Sequence, residues 1–208
     1  LAQSFVVLGC DEAALDEAPE HYTHVFNEAY PAMLASKLGW QEFRDGDDAL
    51  VQNLFSLLAE EEIDMTLFFR NLSDSEFMVA GKTPKPERDD TLEPWQLAYY
   101  DAQKSRGPHA QKMQTWLEQY RKRCLDDPTF LVDGRKRMLG ANPKYVLRNY
   151  LAQVVIDDVA EGDFTSIAEL LDTLKRPYDD QPGREKWAQL RPEWARNKPG
   201  CSMLSCSS

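Results

Sequence analysis

Apolar residues recur along most of this chain at three- and four-residue steps, the spacing that gives a helix one apolar face. The clearest run predicts an organising helix over 142–153, Asn-Pro-Lys-Tyr-Val-Leu-Arg-Asn-Tyr-Leu-Ala-Gln. Asn142 reads as its N-cap, a side chain able to accept a free amide hydrogen of the first turn. Pro143 suits the first helical position, where a missing N–H costs nothing. Val146, Leu147, Tyr150, Leu151 and Val154 then share one face, and Lys144 and Arg148 another.

The same steps predict a helix over 21–38, with Tyr22, Val25, Phe26, Ala29, Tyr30, Met33, Leu34 and Leu38 on one side and a kink or break at Pro31. The acidic stretch before it, 11–20, reads as a linker or short helix, and Leu1–Leu8 as the end of a helix stopped by Gly9. Asp45-Gly-Asp-Asp48 reads as a turn and cap leading into a helix over 49–62 that turns Leu50, Leu54, Leu57 and Leu58 inward. Asp64 caps another helix, carrying Leu67, Phe68 and Leu72. Three prolines and a cluster of charges make 77–94 an exposed loop, and a short helix over 95–100 follows. A helix over 110–125 presents Met113, Trp116, Leu117, Tyr120 and Cys124, and 133–139 forms a short basic turn. Gly162 ends the organising helix, and another starts at Thr165 or Ser166. Ser166 and Glu169 have capping-box spacing, and Ile167, Leu170, Leu171 and Leu174 form the buried face. After Pro177 the periodicity fails. Pro177, Pro182, Pro192 and Pro199 recur with Tyr178, Trp187 and Trp194 between them, the pattern of an extended arm that packs its aromatics on a neighbour and frees its last residues. No segment alternates as a strand, so the class is all-α: a helical region over 1–176 and an arm over 177–208.

Composition narrows the functions. With 35 acids against 24 bases, the net charge of −11 argues against general nucleic-acid binding, which needs a basic surface. No apolar run approaches the roughly 20 residues of a membrane span, and no signal-peptide pattern is present. Leu1 in place of an initiator methionine points to a fragment or a processed form.

Four cysteines make no disulfide framework. Cys10 and Cys124 read as small buried hydrophobes. Cys206 stands in a polar end where a thiol is exposed, either an incidental surface thiol or a redox group, with Cys201 as a local alternative partner. His21 and His24 are three apart on one helix, but two ligands do not make a metal site. The acidic 45–48 turn lacks the spacing of a calcium loop. Trp116 and Tyr120 read as core. Arg135, Lys136, Arg137, Lys144 and Arg148 form a basic island, which reads as a solvated helix surface or as a contact for a carboxylate-rich neighbour or a phosphate. Neither a glycine-rich phosphate loop nor a kinase catalytic-loop pattern occurs.

The 142–153 sequence resembles a signature of the selenoprotein O family, with Asn142, Pro143, Lys144, Tyr145, Arg148 and Asn149 as its structural or core-contacting positions. Gly162-Asp-Phe, Lys175-Arg-Pro-Tyr-Asp-Asp-Gln-Pro-Gly183 and Asp64-Met-Thr-Leu-Phe-Phe-Arg70 are also similar to it. The ending Leu204-Ser-Cys-Ser-Ser208 resembles the family's, with Cys206 at the position of a selenocysteine. The resemblance implies the carboxyl-terminal region of a protein-kinase-like protein that transfers AMP from ATP, with Mg or Mn, to Ser, Thr or Tyr hydroxyls. It also implies a reversible pairing of Cys206 with a cysteine of the kinase-like core. Its catalytic, cofactor and metal residues are expected upstream of Leu1, so this chain alone is expected to be inactive and to bind no cofactor. Its expected partners are that core and substrate proteins, with no nucleic acid and no membrane. The compartment would be the cytoplasm in a bacterium, and a mitochondrion or other organelle in a eukaryote. The other reading is a self-contained helical protein-binding module without catalysis.

Overall fold

A computed structural model describes residues 9, 12–74 and 93–201 of the chain. Seven α-helices carry the described residues: α1 (Glu12–Lys37), α2 (Asp47–Glu60), α3 (Met65–Leu72), α4 (Pro108–Leu125), α5 (Arg135–Ala141), α6 (Asn149–Ala160) and α7 (Thr165–Leu174). Short 3-10 turns at Pro94–Ala98, Lys104–Arg106, Glu185–Ala188 and Glu193–Ala195, and a π turn at Phe130–Gly134, join or follow them. Among the described residues β structure is confined to isolated bridge positions, Ile63 with Tyr99 and one at Pro199, so the protein is mostly helical as the periodicity predicts. The expected loop over 77–94 lies outside the described residues except at its end, as do Leu1–Leu8, Cys10 and Cys206.

The larger hydrophobic cluster gathers the end of α1 with α2, α3, α4 and α5. Trp116 and Tyr120 stack at 5.1 Å in its centre. Their polar atoms are satisfied: Trp116 Nε1 donates to the Leu50 carbonyl at 2.8 Å, and Tyr120 Oη to the Leu38 carbonyl at 2.7 Å. Such pairing is what lets large amphipathic rings lie in a core. Gly39 closes α1 with φ +76, and a Cβ there would meet the Gly134 carbonyl at 2.9 Å, so the turn after α1 crosses the π turn only because the residue is glycine. The smaller cluster joins α6, α7 and the arm through Tyr145, Tyr150, Leu151, Val155, Leu170, Trp187, Ala195 and Cys201.

Four local expectations are corrected. First, 142–148 is not helical: α6 begins at Asn149, and Asn142 is the C-cap residue of α5 rather than an N-cap. The amides of Lys144 and Tyr145 both donate to the Pro177 carbonyl, at 2.8 and 3.1 Å, which holds this segment extended against the arm. Second, α1 runs from Glu12 through both Pro19 and Pro31, so the chain does not break at Pro31. The carbonyl deprived by Pro31 belongs to Asn27, which is exposed and open to water. Third, Ser166 makes no capping box. Asp163 accepts the Thr165 amide at 2.8 Å instead, and the Ser166 hydroxyl is buried without a hydrogen-bond partner. Fourth, Gly46 stands at the cap position of α2 with no side-chain cap.

The apolar stripes are where predicted but are only partly covered. Leu34 and Leu38 are buried, while Tyr22 is 68 % exposed, Val25 47 %, Phe26 45 % and Met33 46 %. On α7 Leu170 is buried, yet Ile167 and Leu171 are exposed, together with Phe164 just before them.

Candidate functional site

Asp64 accepts the Leu67 amide at 3.0 Å and so caps α3, as its place in the sequence predicts. Its carboxylate also receives Arg148, through Nη2 at 2.9 Å to Oδ1 and through Nη1 to Oδ2, and Tyr100 Oη at 3.3 Å. Burial, and then the neighbouring Asp64 charge, push the Tyr100 hydroxyl's pKa up. Six residues on, Arg70 is 5 % exposed. Its Nη1 donates to the carbonyls of Asn142 at 3.2 Å and Tyr178 at 3.0 Å, and its Nη2 to Asp180 at 3.2 Å. Two arginine–carboxylate junctions, one at each end of α3, thus pin the extended 142–148 segment and the start of the arm to the helical body.

Four of the six signature positions, Asn142, Lys144, Tyr145 and Arg148, line this seam. Asn142, 1 % exposed, donates to the Lys37 carbonyl at 2.8 Å and accepts from Lys37 Nζ at 2.8 Å. Lys144 Nζ reaches Asp180 at 2.8 Å. That hydrogen bond, with Arg70 behind it, holds the Asp180 carboxyl below its usual pKa. Tyr145 is buried and its hydroxyl donates to the Gln181 carbonyl at 3.3 Å. Pro143 borders a small cleft, and Asn149 is the exposed first residue of α6.

The basic island therefore reads differently in three dimensions. Lys144 and Arg148 share no helix face and are spent on Asp180 and Asp64. Arg135 binds Asp74 at 2.6 Å, and Arg137 binds Asp127 at 3.3 Å and the Gly39 carbonyl at 2.8 Å. Internal carboxylates take up four of the five cations, leaving neither a phosphate cradle nor a simple solvated stripe. Sequence spacing could not show this, because the acceptors lie 61 to 98 positions away for Arg135 and for Arg137's contact to Gly39.

Of the cysteines, Cys124 is fully buried and its thiol is pushed up to about 12 by desolvation, which leaves it unreactive near neutrality. Cys201 is also buried, against the arm and α6 cluster, so the thiol that the sequence places in a loose tail is instead packed. Cys206, the sharper candidate, lies outside the described residues, as does any pairing with Cys201. His21 and His24 are exposed on α1, and His24 meets Glu28 at 3.5 Å. Among the described residues no three His, Cys, Asp or Glu side chains gather to hold a metal. Asp47 of the acidic turn is buried by its ion pair with Arg123, at 2.7 Å. No described helix is long and apolar enough to cross a membrane.

These features define a mostly α-helical protein in which a signature segment staples a proline-rich arm to a helical body. Comparison with known proteins identifies the family. A family model described as protein adenylyltransferase SelO matches residues 1–175. A protein nucleotidyltransferase YdiU of Rhodopirellula baltica is 42% identical over 212 residues, covering 100% of this chain and 39% of the relative. The YdiU proteins of Aromatoleum aromaticum, 43% identical over 204 residues, and Xanthomonas euvesicatoria, 44% over 210, cover 98% and 100% of this chain and 37% and 38% of the relatives. The chain belongs to the SelO family, and it spans less than two fifths of the length of these curated relatives.

Proposed function

We propose that this chain is the helical brace and carboxyl-terminal arm of a protein adenylyltransferase, docked on a kinase-like core that carries the chemistry. The observation that carries this reading is the uncovered apolar stripe of α1. Tyr22, Phe26 and Tyr30 stack along it at 6.0 and 5.1 Å, yet Tyr22 stands largely in water and Phe26 is nearly half exposed. Contiguous apolar surface of this kind marks an interface. The relatives' additional length supplies an occupant of the right kind.

In the whole protein the α-phosphorus of ATP would bond to a Ser, Thr or Tyr oxygen of a substrate protein as its bond to the pyrophosphate oxygen breaks. Mg or Mn would offset the phosphate charge. None of those catalytic or metal-holding groups is assigned to this chain. Its own residues orient: the Arg148–Asp64 and Arg70–Asp180 junctions hold the signature segment and the start of the arm on the helical body. Cys206 would act as a redox group. Its thiol and a core thiol would lose two electrons and two protons to a peroxide as a disulfide forms, and Cys201, being buried, is the less suited partner. A Cys206→Ser variant whose activity responds to peroxide like the parent would remove that role.

The direct test is AMP transfer from labelled ATP to protein, with the chain alone and with the amino-terminal remainder of a YdiU relative added. Activity only in the mixture supports the brace. Activity of the chain alone overturns it. The two closed hydrophobic clusters favour a second reading, a self-contained helical binding module without catalysis. Folded chain that neither associates with the remainder nor restores its activity would favour that one.

A further inference from the structure

Lys37, in the last turn of α1, is half-buried without a carboxylate partner, whereas Lys122, Lys136 and Lys175, also without one among the described residues, are exposed. Lys104, Lys112, Lys144, Lys186 and Lys198 each meet a carboxylate. Lys37 Nζ instead donates to the neutral Asn142 Oδ1 at 2.8 Å and lies 4.5 Å from the centroid of the Phe69 ring. Among the described residues it has no carboxylate partner. Burial pushes its pKa down, the mark of a cation short of counter-charge.

The ammonium borders a cleft of about 250 Å³ lined by Lys37, Met65, Thr66, Phe69, Asn142 and Pro143. Half of this lining is apolar, from Met65, Phe69 and Pro143. The other half offers hydrogen-bonding groups, and the ammonium keeps two N–H donors beyond the one used on Asn142. From this geometry we infer that the cleft is a binding site for a carboxylate carried on a short apolar stem.

The charge matches a single negative group. A phosphate dianion generally recruits further cations, and the nearby Arg70 is already committed to Asn142, Tyr178 and Asp180. The volume of the cleft, about 250 Å³, suits a small group. A short-chain acid fits that space, and so does a glutamate side chain of a docking segment. The site is independent of the brace proposal, since it is formed wholly by described residues of this chain.

The test titrates the ¹⁵N-labelled 208-residue chain with sodium butyrate, with N-acetylglutamate α-amide as a side-chain carboxylate, and with methyl butyrate as the uncharged control. NMR follows the Asn142 side-chain amide and the Thr66 backbone amide. Saturable shifts with at least one carboxylate and none with the ester are expected. The tighter of the two carboxylates identifies the source as a free acid or a protein side chain. Lys37→Gln should weaken binding about tenfold, the loss of a charge-assisted hydrogen bond, while Lys37→Arg retains it. No saturable shift with either carboxylate, equal shifts with the ester, or undiminished binding to folded Lys37→Gln would overturn the assignment. The acid-against-ester comparison on the unmodified chain decides even where a variant fails to fold.

Discussion

Arg148 and Asp64 lie 84 positions apart in the chain and face each other as a bidentate ion pair with both side chains largely buried. Asp64 caps α3 and Arg148 ends the extended signature segment, so one contact fixes the position of two elements. Arg148→Ala leaves the carboxylate buried and under-paired, a change that costs about 3–5 kcal/mol. Urea denaturation should show that loss. A double-mutant cycle with Asp64→Asn should show strong coupling, whereas additive losses would mean that the pair is incidental.

Asn142 distinguishes the observed structure from the helix that its sequence suggests. As an N-cap it would tolerate Ser or Asp nearly unchanged. In the structure its amide nitrogen serves the Lys37 carbonyl and its oxygen serves Lys37 Nζ, so neither replacement provides both groups in place. Asn142→Ser should cost about 1–3 kcal/mol, the penalty of stranded buried polar groups. Thermal unfolding of Asn142→Ser beside the parent measures it, and an unchanged midpoint would favour the cap.

Carboxylates hold the arm, and acid should therefore loosen it. Lys144 holds the Asp180 carboxyl below its usual pKa, Lys186 does so for Glu169, and Gln153 followed by Lys198 for Asp157. A carboxylate with a depressed folded pKa contributes stability above the unfolded value, about 3.9–4.3, and loses it as pH falls through the folded one. The Trp187 indole signal, buried between the arm and the helices, should hold steady above pH 5 and move below about pH 4. Asp180→Asn should flatten part of that change.

Much of this fold was legible in local pattern. The Asp64 cap, the α4 face from Met113 to Cys124 and the stop near Gly162 each depend on residues within one or two turns of one another. The 142–148 segment was not legible, because Asn-Pro suits a helix start as well as the end of the preceding one. Partners 105 positions away at Lys37 and across at Pro177 decide between them. Periodicity also reports that a face is apolar and not whether anything covers it. Tyr22, Phe26, Ile167 and Leu171 fit their stripes and still stand in solvent. Asn142, Lys144, Tyr145 and Arg148 were found by resemblance, but their side-chain partners needed coordinates, since those lie 36 to 105 positions away.

The exposed stripe gives a prediction about stability as well as binding. Phe26→Glu gives up the stacking on Tyr22 and Tyr30 but no fully buried side chain, so it should lower the unfolding free energy of the chain by only about 0.5–1.5 kcal/mol. A larger loss in urea unfolding would mean that this face already packs within the chain.

The most direct measurement of the brace is calorimetric titration of the 208-residue chain with the separately produced amino-terminal remainder of the Rhodopirellula baltica relative. The account predicts a one-to-one complex with a negative heat-capacity change, the mark of buried apolar surface, and its loss in Tyr22→Glu/Phe26→Glu chain that remains folded. Absence of binding by two folded partners, or binding indifferent to those two substitutions, would contradict it.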